Sequence, residues 1–182
     1  MKPGPVRDAE AMVAASSAAI GPDTVALRHV FGQYPTGVAI ATARDMQGQA
    51  VAMTINSFTS LSLDPPLVAW SIGARSTDLP VFAAARWFGI NVLSSAQEAL
   101  ARRFADPLLR REAANMALLD LSGDAPRVPA AVGWLLCAVH RTVALGDHLL
   151  IVGRVAHYEA APGEALAYHR GRYARIDGQA TP

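Results

Sequence analysis

Met53-Thr54-Ile55-Asn56-Ser57-Phe58-Thr59-Ser60-Leu61-Ser62-Leu63-Asp64-Pro65-Pro66 lies between two apolar runs, and its reading governs that of the whole chain. Upstream, Ala50 to Ile55 reads as a strand returning from Gly37 to Ala43 through a polar turn, Arg44 to Gln49, that contains Gly48. Downstream, Leu67 to Ile72 reads as a third strand, begun after Asp64-Pro65-Pro66. Between them stand short hydroxyl and amide side chains, each able to donate and accept hydrogen bonds. One reading is a polar loop leading into a Pro-Pro strand start. The other is a lining of neutral donors and acceptors at the mouth of an apolar strand.

The elements continue outward in both directions. Leu27, Val30, Phe31 and Tyr34 share one helical face, with Asp23 or Thr24 as N-cap and Pro35 as terminator. Ser76 or Thr77 can cap a short helix through Ala85, Pro80 being tolerated in its first turn. Trp87 to Leu93 is a fourth strand, and Ser95 with Glu98 forms a capping-box pattern opening a helix to about Phe104. Asp106-Pro107 opens another helix, with an apolar stripe of Leu108, Leu109 and Met116. After a break at Pro126 to Pro129, two long strands, about Val132 to Leu145 and Leu149 to Glu159, flank the turn Gly146-Asp147. Pro162-Gly163 precedes a last short element around Leu166 to Tyr173.

Six or so strands with three or four inserted helices lack the regular crossovers of a doubly wound parallel sheet. A closed or partly closed antiparallel barrel fits, because closure removes exposed apolar edges. The pattern predicts one domain over 23–176, between a flexible arm at 1–22 and a tail at 177–182.

Composition narrows the function classes. Of 182 residues 52% are hydrophobic and 17% charged, which excludes a disordered chain. Sixteen basic residues against fifteen acidic ones leave no field to steer the protein to nucleic acid or an anionic membrane. Arg102-Arg103 to Arg110-Arg111 alternates with Asp106 and Glu112 and reads as a solvated face. Cys137 is the single cysteine, which excludes an intrachain disulfide and points to a reducing, cytoplasmic setting. It reads as a small core hydrophobe. Lys2 and Arg7 precede a small-residue stretch, Ala11 to Ile20, without the Leu-rich core of a signal peptide. His29, His140, His157 and His169 lack the spacing of a metal pair, so no metal site is expected. Trp70, Trp87 and Trp134 read as barrel or interface filling.

A flavin ring needs what Met53 to Pro66 offers: an apolar slot for its faces, and neutral partners for its pyrimidine edge and N5. That stretch, with Tyr34-Pro35-Thr36-Gly37-Val38 and Leu67-Val68, resembles the flavin reductase family that supplies two-component monooxygenases. The likeness continues through Phe88-Gly89-Ile90-Asn91-Val92-Leu93, Phe104-Ala105, Gly146-Asp147-His148 and Gly153-Arg154-Val155. It closes on Tyr168, Arg170-Gly171 and Tyr173. Each match is weak alone; their order over Phe31 to Tyr173 is specific.

The resemblance implies a homodimeric, Greek-key split β-barrel that binds FMN, or FAD, and reduces it with NAD(P)H for a partner monooxygenase. Carried over by position, Thr54, Asn56, Ser57 and Phe58 would meet the ring and ribityl chain, and Ser60, Leu61 and Ser62 would continue the lining. Asn91 and Val92 would flank the flavin, Phe104 would close one side, Tyr173 would complete the site and Ser76 would contact the phosphate. His148 would be the residue associated with nicotinamide. An imidazole there can bond the carboxamide or stabilise the reduced flavin's charge. Two features depart from the family pattern: Ala52 stands where glycine is common, and Pro107 to Ala125 lacks the usual landmarks. The contrasting reading is a flavin or haem carrier on the same barrel that does not oxidise NAD(P)H.

Overall fold

The computed structural model describes residues 23–176, so the arm predicted at 1–22 and the tail at 177–182 lie outside it. Helix α1, Thr24–Gly32, starts where Asp23 Oδ1 accepts from the Val25 and Ala26 N–H groups at 3.0 and 3.2 Å. It ends ahead of Pro35, and Val25, Val30 and Phe31 are exposed.

The unit that starts at Pro35 holds the sheets. Its strands are β1 (Thr36–Gly37), β2 (Ala39–Arg44), β3 (Ala50–Ile55), β4 (Thr59–Leu63), β5 (Pro66–Gly73) and β6 (Trp87–Val92). Next come β7 (Gly133–Leu145), β8 (His148–Ala160), β9 (Leu166–His169) and β10 (Arg172–Arg175). Short helices α2 (Leu79–Ala84), α3 (Glu98–Ala105) and α4 (Ala113–Met116) are inserted among them.

Seven strands form one antiparallel sheet in the order β3-β2-β6-β7-β8-β5-β4. Its two edges, β3 and β4, are consecutive in the chain and joined by only Asn56, Ser57 and Phe58. Laid flat, seven strands at roughly 4.8 Å spacing would hold those edges roughly 29 Å apart. The link from Ile55 to Thr59 reaches at most roughly 14 Å. The sheet therefore has to curl until its edges meet across a seam, which makes it a split barrel.

Side-chain alternation gives the barrel two cores. The interior holds Ala39, Ala41, Ala43, Ile55, Val68, Trp70, Ile72, Phe88, Cys137 and Ile151. Trp70 meets Phe82 and Phe88 edge-on at 4.9 and 6.0 Å. Gly153 is required beside Phe88, because a Cβ there would stand 2.3 Å from the ring. The outer face of β2 and β3 packs Val38, Ile40 and Ala52 against Ala101, Phe104 and Leu166. Covered on both sides, β2 is buried from Ala39 to Ala43 without alternation. Burial pushes the Cys137 thiol up to about 12, in keeping with a packing role.

Several expectations are corrected here. Among the described residues ten strands stand where six or so were predicted. The stretch open to reading as a polar loop contains β4, which pairs with β5 through a bulge between Ser60 and Ser62. The closing element is a β9–β10 hairpin turned by Arg170 and Gly171, both at positive φ. Helix α2 begins at Leu79 with Asp78 as its N-cap, and neither Ser76 nor Thr77 caps it. The capping box lies one residue early, on Ser94 and Gln97. After Asp106 the chain makes a 3₁₀ turn, Leu109–Arg111, and the four-residue α4 in place of a continuous helix. Leu108 and Leu109 are exposed, while Arg110 and Asn115 are buried. The basic stretch is thus not simply a solvated face. Among the described residues no helix is long and apolar enough to cross a membrane, and no cluster of metal-ligating side chains occurs.

Candidate functional site

The seam between β3 and β4 gathers the polar residues of the central stretch. Ile55 points into the barrel and Ala52 into the outer core, so alternation places Thr54 on the outer face. On β5, Val68, Trp70 and Ile72 point inward, which leaves Ser71 and Gly73 on the outer face of the other lip.

At the β3 lip a hollow of about 180 Å³ is lined by Val38, Thr54, Ile55, Asn56, Ala105, Tyr168 and Tyr173. Thr54 Oγ1 donates to the Ala101 carbonyl at 2.7 Å, anchoring β3 to α3. Asn56 is exposed. Tyr168 and Tyr173 are cross-strand partners on β9 and β10, with ring centroids 5.3 Å apart. The Arg102 guanidinium lies 4.8 Å from the Tyr173 ring centroid. Burial, the largest cause, raises the Tyr173 phenol above its ordinary value, so it remains a hydrogen-bond donor at neutral pH.

Ser57 fastens the link to the opposite lip. Its Oγ donates to the Ser71 carbonyl at 3.1 Å and accepts from the Ser71 N–H at 3.0 Å. Two residues along β5, Gly73 pairs with His148, whose Nε2 lies 3.8 Å from where a Gly73 Cβ would stand. His148 Nδ1 is 2.7 Å from Asp147 Oδ1, and the imidazole side chain is 50% exposed. The hydrogen bond from His148 holds the Asp147 carboxyl below its ordinary value, helped by the charges of His148 and Arg75. An ionised Asp147 only accepts, so Nδ1 carries the proton and Nε2 is left free on the exposed side chain.

The other expected residues are sorted by burial. Ser60 and Leu61 are exposed and Ser62 half-buried on β4, while Phe58 packs against the interior core. Asn91 does not flank the seam: it is fully buried, Nδ2 donates to the Ile40 carbonyl at 3.0 Å, and Oδ1 accepts from the Val128 N–H at 2.8 Å. Phe104 likewise lies wholly within the outer core and closes no open side. Val92 is half-buried against Gly133. The Ser76 hydroxyl accepts from the Asp78 N–H at 3.3 Å, and Ser76 does not line the hollow at the β3 lip.

Sequence reasoning missed Asp78, Arg110 and Arg111. Asp78 is 1% exposed, with Arg110 Nη2 2.7 Å from its Oδ2 and Arg111 on its Oδ1. They border a larger hollow, about 660 Å³, beside residues 50–52 of β3. The repeated Arg-Arg was visible in the sequence; that one of the pair is buried follows from its partner 32 positions earlier.

No charged side chain occurs between Met53 and Leu63, and with Thr54 and Ser57 engaged, Asn56, Ser60 and the unpaired edges of β3 and β4 remain to offer neutral donors and acceptors. That donor set suits a flat, uncharged ring with polar edges, as a flavin has.

The comparisons agree. The chain is 40% identical over 151 residues to the stachydrine N-demethylase reductase subunit of Rhizobium meliloti strain 1021, covering 83% of this chain and 65% of that one. It spans 51% of another relative from the same organism. It is 36% identical over 162 residues to the NADH-dependent FMN reductase of Agrobacterium fabrum, covering 87% and 90% of the two chains. The NADH:FAD oxidoreductase of Streptomyces globisporus, solved with NAD and FAD fragments, superposes with a TM-score of 0.79 at 36% identity, over 87% of this chain and 96% of that one. Residues 31–177 match the flavin reductase like domain, and the chain belongs to that family.

Proposed function

We propose that the chain is an NADH-dependent flavin reductase, which binds FMN or FAD at the seam and supplies reduced flavin to a partner monooxygenase. The observation that carries this is the uncharged seam with an oriented His148 on its rim. Bound flavin supplies the hydride acceptor, so the chain needs no acid or base of its own for the transfer. Asn56 and the edge backbone of β3 and β4 hold the polar rim of the ring, and the hollow with Tyr168 and Tyr173 gives apolar contact. Asp147 fixes the His148 tautomer, leaving Nε2 to meet the nicotinamide carboxamide or to carry a proton that offsets developing negative charge.

The relatives' names, a reductase subunit and reductases of FMN and FAD, support this reading. A homodimer is the proposed working form, supported by Leu61, Leu63, Leu145 and Tyr158 left exposed on β4, β7 and β8; the cytoplasm is its proposed setting, in keeping with a single buried cysteine. Light scattering at micromolar concentration reads the mass directly.

The function is tested by mixing the protein and FMN with NADH without oxygen and following the flavin absorbance near 450 nm. Bleaching far faster than in free flavin is expected. Bleaching no faster than the protein-free control overturns the reductase and favours the carrier.

A further inference from the structure

The three residues between β3 and β4 have three different duties. Phe58 packs on the interior core, Asn56 is exposed, and the Ser57 side chain turns to β5. Thr59 pairs with Ala69, so the same antiparallel register carried back by two residues sets Ser57 opposite Ser71. A strand residue at that position would bond through its main chain. Here a side chain does so: the one hydroxyl of Ser57 takes both the N–H and the carbonyl of Ser71.

The substitution of a hydroxyl for a rung of the ladder leaves the main chain of the link standing off β5 by the reach of a side chain. Among the described residues, neither Asn56 nor Ser57 hydrogen-bonds to another main chain. Their N–H groups are therefore open to a ligand at the seam. Strand β5 is meanwhile fastened to the His148 turn along its other edge. Gly73 pairs with His148, and the Ala74 N–H donates to the Asp147 carbonyl at 2.8 Å. Ser71 and Gly73 lie two residues apart, roughly 7 Å along the strand. One short piece of β5 thus fixes the link on one side and the imidazole on the other.

We infer that Ser57 is a positioning residue for hydride transfer: its hydroxyl sets the main chain of the link against β5, and so sets a bound flavin relative to His148. This rests on the flavin reading above. It gives the Ser57 hydroxyl to Ser71 and leaves the ring to the main chain beside it. A flavin held by that main chain moves with it. Loosening the link therefore alters the approach of flavin to nicotinamide more than it alters flavin affinity, and small misplacements of reacting groups slow a reaction steeply.

The experiment is a double-mutant cycle of Ser57 and His148 with FMN saturating. It reads FMN affinity by flavin fluorescence and the limiting rate of anaerobic bleaching at saturating NADH. Ser57→Ala is expected to slow bleaching about 10-fold while FMN affinity stays within about 2-fold. Ser57→Thr, which keeps the hydroxyl, is expected to restore the rate. Added to His148→Ala, Ser57→Ala is expected to slow bleaching by less than about 2-fold more, because no imidazole is left to align. An unchanged rate in Ser57→Ala, the same slowing with and without His148, or a Ser57→Thr variant as slow as Ser57→Ala overturns the assignment. A loss of FMN affinity as large as the loss of rate makes the hydroxyl a direct flavin contact and overturns it too. In each of these cases the wild-type protein still bleaches FMN and the reductase reading stands. Wild-type protein that binds FMN but bleaches it no faster than free flavin overturns both.

Discussion

Asn56 and Asn91 carry the same amide on neighbouring parts of one sheet, and the molecule uses them in opposite ways. At the centre of the sheet, Asn91 joins the Ile40 carbonyl to the Val128 N–H, while Thr42 Oγ1 donates to the Pro126 carbonyl at 2.6 Å. There, polar atoms serve the fold by holding the chain after Pro126 against β2 and β6. At the seam, Asn56 and His148 are exposed, and the Asn56 amide and His148 Nε2 remain available to a ligand while Nδ1 is held by Asp147. The residue type does not decide between these duties. Whether the strand at that point is covered does.

Substitutions can break this contrast, and the buried centre should give the largest effect. Asn91→Ala leaves the Val128 N–H without its partner and opens a void, at a cost of about 3 kcal/mol. Calorimetry should show the melting temperature falling by roughly 6–12 °C. Flavin affinity below the transition should be unchanged; an unchanged melting temperature with lost flavin binding would dissolve the contrast. His148→Ala is the mirror case. Anaerobic flavin bleaching by NADH should slow about 100-fold, with stability altered by no more than about 0.5 kcal/mol. Ser57→Ala lies between the two regions, because its hydroxyl ties the link to Ser71. Urea unfolding should register a loss of about 1 kcal/mol. Glu98→Gln, which breaks an exposed pair with Arg102, should cost less than about 0.5 kcal/mol.

The subtlest effect is one of pH. Asp147 has a lowered folded-state pKa, so what its pairing with His148 contributes is present above the ordinary carboxylate range. It is lost as pH falls through the depressed value. Carboxyl-carbon NMR shifts of Asp147 followed against pH should show its step below the ordinary carboxylate range, and His148→Ala should move that step back up.

The same contrast explains what could be read in advance. Hairpins announced themselves through alternation and turns, as in Ala50 to Ile55 and around Gly146-Asp147, and the barrel follows from their succession. Strand β4 was harder, because Thr59, Ser60 and Ser62 have the composition of a loop and pair only through a bulge. The helix expected after Asp106 rested on Leu108 and Leu109, yet this segment is held by polar contacts. Arg110 is drawn to Asp78, and Asn115 Nδ2 donates to the Leu109 carbonyl at 2.6 Å. Such long-range pairs leave no periodic trace. Asn56 and His148 were legible as candidates through ordered motifs, whereas the duty of Asn91 required knowing what covers β6.

The link Asn56 to Phe58 also acts as a gauge. Because it ties both edges of the sheet, the seam's width is set by a count of residues and not by how freely a loop swings. Each residue inserted there would lengthen the tether by roughly 3.5 Å, so the thickness of cargo that the barrel admits is written in the length of that one connection.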